Sequence, residues 1–160
     1  MSADPPKIRV VFDCMIFLQG AARRESPAGI CLLLVELGAV ELCLSKEISN
    51  EIRDVLTRPS IRQKFSSLTD ELVDQFLGAL ERQSVMFSDV PHAFTYERDP
   101  KDEPYINLAL AAGATYLVSR DKDILDLASP SNLDGERLRQ KASQLRILDP
   151  MTFLLELEQA

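Results

Sequence analysis

At 160 residues the chain is long enough for one domain with a substantial buried core, and 46% apolar with 27% charged residues is an ordinary globular balance. A formal net charge of −7 excludes a protein that grips nucleic acid through overall charge, because phosphate affinity needs clustered Lys and Arg. It leaves open a local basic patch, or a metal that bridges carboxylates to phosphate.

The chain starts with the short polar segment MSADPPK, residues 1–7, which has no signal-peptide core and is expected to be flexible. The run IRVVFD, residues 8–13, then reads as a strand buried on both faces, as in a parallel sheet. It stops at Asp13, whose carboxylate is costly to desolvate unless water, a hydrogen bond or a cation meets it. The plainer reading of Asp13 is a capping residue in a strand-to-helix loop. The following CMIFLQGAARRE reads as a turn or loop around Gly20.

Ser26 and Pro27 open a helix that Gly38 closes, with Ile30, Leu33, Leu34 and Leu37 expected in the core. VELCL, residues 40–44, is the second strand, and Ser45 caps a helix with Ile48, Ile52, Val55 and Leu56 on its buried stripe. Glu51 lies next to that stripe and can look back toward the strand ends; the plainer reading is a surface Glu paired with Arg53 or Lys46. Arg58-Pro59 breaks the helix, and the basic segment SIRQKFSS leads to Thr69, which caps a long amphipathic helix. SVMFSDV, residues 84–90, is expected to be a third strand, and His92, the single histidine, a surface loop residue.

The stretch from Asp99 to Leu125 organises the rest. Asp102 starts an apolar helix from about Tyr105 to Ala112, Gly113 ends it, and the buried strand YLVS finishes near Asp121 and Asp123. Residues 129–144 are a polar connection, either a solvated loop with a short helix or a mobile flap. LRILD, residues 145–149, is the last strand, and Pro150 opens a terminal helix that docks Phe153, Leu154 and Leu157. Short buried strands alternating with helices predict an α/β chain with a central parallel sheet of about five strands, covered by helices. Cys14, Cys31 and Cys43 lack C-x-x-C spacing and read as buried free thiols, and the longest apolar run, ICLLLV, is too short to span a bilayer. One domain over residues 1–160, cytoplasmic and without membrane contact, is expected.

In such a sheet, strand C-termini and helix N-termini share one edge. Asp13, Asp102, Asp121 and Glu51 all fall there. Carboxylates within ~4–6 Å raise one another's pKa and destabilise the fold, so a cluster of this kind calls for a divalent cation. Oxygen-only ligation selects Mg²⁺ or Mn²⁺, which makes phosphodiester hydrolysis the natural chemistry.

IRVVFDCM, SKEISNEIRDVL, DPKDEPYINLALAAGA, LVSRDKDIL and RILDPMTFLLEL together resemble a PIN domain, over nearly the whole chain. The likeness is to the branch formed by toxin components of bacterial and archaeal toxin–antitoxin systems. It implies a PIN-like (Rossmann-like) three-layer α/β/α sandwich and a Mg²⁺- or Mn²⁺-dependent ribonuclease. By position, its acids fall on Asp13, Glu51, Asp102 and Asp121, with Asp123 accessory and Ser119 as the small hydroxyl residue before the last acid. Asp13, Asp102, Asp121 and Asp123 are the expected metal ligands. Arg23, Arg24, Arg120 and Lys122 are candidates to meet the RNA backbone. An antitoxin protein and a homodimer are the partners the resemblance implies.

One departure stands out. Where the resemblance leads one to expect Thr or Ser and then Asn after the first acid, this chain has Cys14 and Met15, which removes polar groups that orient the acid or bound water. Metal binding is expected to survive the change; a catalytically weak PIN-like binding or scaffold domain is the competing reading. A phosphatase beginning with D-x-D is disfavoured because position 15 is Met, and a receiver domain because the early acidic pair is absent.

Overall fold

A computed structural model describes residues 7–159. The N-terminal segment expected to be flexible therefore lies, apart from Lys7, outside the described residues.

Five strands form one all-parallel sheet: β1 (Arg9–Phe12), β2 (Glu41–Ser45), β3 (Val85–Phe87), β4 (Tyr116–Val118) and β5 (Arg146–Leu148). Their order is β3-β2-β1-β4-β5, with Phe12 opposite Val118 and Val10 opposite Leu42. Consecutive residues of β1, β2 and β4 are buried, because helices cover both faces of a parallel sheet. The result is the expected α/β/α sandwich. The chain starts in the middle, fills one side, then returns to set β4 against β1. Strand order therefore reverses between β1 and β4, and the crevice at their carboxyl ends is where open α/β sheets bind ligands. The Asp13 amide donates to the Val118 carbonyl at 3.1 Å, which fixes that crevice at the backbone level.

The segment expected as a loop around Gly20 is instead helix α1 (Cys14–Ala22). Asp13 caps it by accepting from the Ile16 amide at 3.3 Å, and Ile16, Phe17 and Leu18 are buried. Gly20 is a close approach and not a turn. A Cβ there would lie 2.4 Å from Leu32 Cδ1 and 3.2 Å from the Ala28 carbonyl, so glycine lets α1 cross close to α2 (Pro27–Glu36), and a larger residue would require Leu32 to move.

A second correction concerns α2. Ile30, Leu33 and Leu37, expected in the core, are 40%, 46% and 70% exposed, and Leu34 is half-buried. The buried face carries Ala28, Gly29, Cys31 and Val35. In a helix that is apolar almost all round, spacing does not choose a face; the small residues do, because they let backbones approach.

Helices α3 (Lys46–Leu56) and α5 (Asp70–Gln83) begin on Ser45 and Thr69 as expected. Between them Pro59, at a first-turn position, starts a further short helix, α4 (Pro59–Lys64), in the segment read only as basic. A 3₁₀ turn (Pro100–Asp102) leads into α6 (Glu103–Ala112), which ends on Gly113 at φ 60°. After β4 come α7 (Lys122–Leu125) and a 3₁₀ turn (Asp126–Ala128). The polar connection contains α8 (Leu133–Lys141), whose Leu138 is buried. Phe153 of α9 (Pro150–Gln159) is fully buried, with ring centroids 5.1 Å from Tyr116 and 6.1 Å from Phe12. Cys31 and Cys43 are buried free thiols and Cys14 a half-buried one. Among the described residues, no helix is long and apolar enough to cross a membrane.

Candidate metal centre

Three loops bring acids to the β1–β4 crevice. Asp13 follows β1, Asp121 follows β4 and caps α7, and Asp99 caps and Asp102 ends the 3₁₀ turn before α6. Asp99, Asp102, Asp121 and Asp123 each offer a carboxylate oxygen, and these oxygens lie within 4.8 Å of one another. Ser119, fully buried at the end of β4, joins this group to Asp13: its hydroxyl donates to Asp13 Oδ2 and accepts from the Asp121 amide at 2.9 Å. Asp121 Oδ1 in turn accepts from the Asp123 amide at 2.8 Å, which sets the spacing of the D-x-D pair.

Burial and mutual repulsion dominate the electrostatics. Asp102 is 7% exposed, and its carboxyl is pushed up to about 8, first by desolvation and then by Asp121, Asp99 and Asp13. Asp13 is pushed up to about 6 by burial, although the hydrogen bonds from Ser119 and Ile16 oppose the shift. Asp102 Oδ2 is buried and accepts no hydrogen bond. An orphaned, desolvated oxygen among three further carboxylates is a feature that a cation would resolve. The donors are all oxygen, so the residues fit a hard divalent ion and not zinc.

Glu51 is placed differently. It is half-buried on α3 and outside the group of four; its neighbours are Tyr105, Glu47 and Arg58. Desolvation raises its pKa and the Tyr105 phenol opposes that. The Tyr105 hydroxyl is itself buried and makes no hydrogen bond of good geometry. Cys14 lies beside both, its thiol pushed up to about 12 by burial and by the charge of Glu51, so it is no thiolate ligand. Met15 is 42% exposed and brings no polar group to the crevice.

The candidate basic residues are spread out. Arg120 and Lys122 are exposed beside Asp121, and Arg120 Nη1 donates to Gln19 Oε1 at 2.8 Å. Arg23 and Arg24 follow the far end of α1, about 15 Å along its axis from Asp13. Arg23 stacks over Phe65 at 5.9 Å. The fold thus sets these two apart from the acids. His92 is exposed, bonded to Thr95 Oγ1 at 3.1 Å.

Two residues the sequence reading gave no role now join the site. Asp99 belongs to the carboxylate group; its signal was the i, i+3 spacing to Asp102, which puts both on one side of a turn. Arg98, its neighbour, reaches Asp123 Oδ1 with Nε at 2.7 Å and Asp126 Oδ2 with Nη2 at 2.8 Å. The segment carrying them is pinned by two side chains of α6. Asn107 Oδ1 accepts from the amides of Ala93 and Phe94 at 2.9 and 2.8 Å, and Glu103 Oε2 from that of Tyr96 at 2.8 Å.

A parallel α/β/α sheet with carboxylates gathered at its switch point defines an α/β domain built for a divalent cation. A family model described as PIN domain matches residues 9–123, and the chain belongs to the PIN-domain family. That family consists in general of metal-dependent nucleases that hold their ions through acidic residues, and the acidic group here has that character. No curated protein and no solved structure matches the chain.

Proposed function

We propose that the protein is a Mg²⁺- or Mn²⁺-dependent endoribonuclease acting as the toxin of a type II toxin–antitoxin pair. The observation that carries the reading is the buried, unpartnered Asp102 Oδ2 within the group formed with Asp99, Asp121 and Asp123. Asp102, Asp121 and Asp123, with Asp13 beside them, would hold the ion. Bound there, a divalent ion supplies Lewis-acid stabilisation of a phosphodiester and a water of lowered pKa. Ser119 orients Asp13, and Glu51, held apart from the four acids, serves to orient the attacking water. Arg120 and Lys122 lie where an RNA backbone would pass; Arg23 and Arg24 would touch only a longer strand.

An antitoxin would cover this rim and present a basic side chain to the acids. A homodimer draws support from Ile30, Leu33 and Leu37, which leave one side of α2 and its C-cap apolar and exposed. Light scattering on the wild type and on Leu33→Glu tests it, with a monomeric variant expected.

The observation favouring a catalytically weak scaffold is the pair Cys14-Met15 at the start of α1. The deciding experiment is cleavage of a mixed RNA pool with Mn²⁺, Mg²⁺ or EDTA, with Asp102→Asn alongside. Metal-dependent cutting lost in the variant is expected. Mn²⁺ binding without cutting would favour the scaffold, and Met15→Asn, which restores an amide at the crevice, would then be expected to gain activity on the order of tenfold.

A further inference from the structure

We propose that Arg98 is the cation that meets the RNA phosphate beside the metal-binding acids, an assignment that rests on the nuclease reading above. Among the described residues, its guanidinium is paired with a member of the carboxylate group, through Nε to Asp123 Oδ1. The pairing with Asp126 Oδ2 anchors Arg98 from outside that group, so the guanidinium stays at the rim even when Asp123 turns toward an ion. Asp123 keeps its second oxygen for that purpose.

The backbone on either side is held to the same place. Tyr96 donates its hydroxyl to the Asp123 carbonyl at 2.6 Å and its amide to Glu103, and Asp99 Oδ1 accepts from the Lys101 amide at 3.2 Å. Arg98 is therefore delivered to α7 by a pinned segment, not by a free loop. Its side chain is 40% exposed, and Nη1 makes no hydrogen bond among the described residues. A planar fork with free donors, fixed next to a metal-binding group, matches a phosphate better than a mobile lysine does. It also answers an electrostatic problem. A phosphodiester approaching these carboxylates is repelled, and a cation beside the ion offsets that on the open side. Arg23 and Arg24 are too distant for this, and Arg120 is engaged with Gln19.

The test uses the full chain and a fluorescein-labelled single-stranded RNA of mixed sequence, with Ca²⁺ and intact RNA verified on a gel. Binding is followed by anisotropy across a salt series, and Mn²⁺ affinity is measured separately by calorimetry. For Arg98→Ala we expect RNA affinity to fall about tenfold and the salt slope to shrink by about 0.7, the value of one lost phosphate contact on a single strand. Mn²⁺ affinity should hold or tighten, because a competing charge has left Asp123. Arg98→Lys should keep the slope while losing part of the affinity. An unchanged slope in Arg98→Ala, with or without weakened Mn²⁺ binding, overturns the assignment and leaves Arg98 as a clamp between the loops. A wild type that binds Mn²⁺ but neither binds nor cuts RNA removes the nuclease reading itself, and this proposal with it.

Discussion

Asp102 holds its proton into the neutral range because burial and four neighbouring acids oppose its charge. Its carboxyl stands at about 8, against an ordinary 3.8, and Asp13 stands at about 6. Both shifts are upward, so the folded state binds more protons than the unfolded chain over this window. Stability from these groups is complete below about pH 4 and is lost as pH rises through 6 and then 8. Urea denaturation in EDTA at pH 5, 7 and 9 should show the wild type weakening across the series. Asp102→Asn should be flatter, because Asn mimics the protonated acid; a variant that declines as steeply as the wild type would sink the account. The same protons must leave when a cation binds. Mn²⁺ affinity measured by calorimetry should therefore rise from pH 6 to 8, with proton release that depends on buffer ionisation enthalpy.

At the scale of elements, the site depends on how tightly the helices around it can pack. Gly29 sits where a Cβ would lie 2.1 Å from the Arg24 carbonyl, backbone that cannot yield without moving the α1–α2 connection. Gly29→Ala should lower stability by about 1–3 kcal/mol, read from denaturant midpoints, with α1 and its cap Asp13 displaced. The segment before the 3₁₀ turn is the other sensitive element. Asn107→Ala leaves the buried amide of Phe94 and that of Ala93 without an acceptor. A cost of about 1–3 kcal/mol follows, chiefly from the buried Phe94 amide, and because this segment carries Arg98 and Asp99, RNA binding should weaken as well. Retained stability in this variant would mean that the segment is held by its other contacts, the Tyr96 amide on Glu103 and the Tyr96 hydroxyl on the Asp123 carbonyl.

For the whole molecule, the arrangement trades stability for a charged crevice. A sheet whose switch point gathers Asp13, Asp99, Asp102, Asp121 and Asp123 is burdened by its own charge, and a bound cation would offset that burden. A ligand bound only by the folded state at 100 times its dissociation constant stabilises by about 2.7 kcal/mol. Thermal melts should therefore shift upward with Mn²⁺ and return with EDTA, and the shift should shrink strongly in Asp102→Asn. An equal shift in both proteins would place the ion elsewhere. The net charge of −7 is then partly concentrated at one edge of the parallel sheet, where a bound metal would neutralise it.

Periodicity and capping were enough to locate the five strands, the helices begun by Ser26, Ser45 and Thr69, and the convergence of Asp13, Asp102 and Asp121 on one edge. These are local signals, written in β-branched runs, in hydroxyl residues before apolar stripes, and in the strand-then-acid order. Local signals did not distinguish α1 from a loop, because Gly20 reads as a turn until the helix that crosses it is known. Nor did they choose the buried face of α2, whose apolar residues surround it and whose packing is set by glycine and alanine contacts. Asp99 and Arg98 entered the site for the same reason. Arg98 pairs with Asp123 and Asp126, and Asp99 gathers with Asp121 and Asp123, all more than twenty residues away, and only the return of the chain from α6 through β4 brings them together. The sequence by itself determined the strands, the helices with clear caps and the oxygen-only character of the acids. The tertiary structure decided which acids gather, which faces pack, and which arginine stands beside them, because those depend on distances between segments that no local pattern encodes.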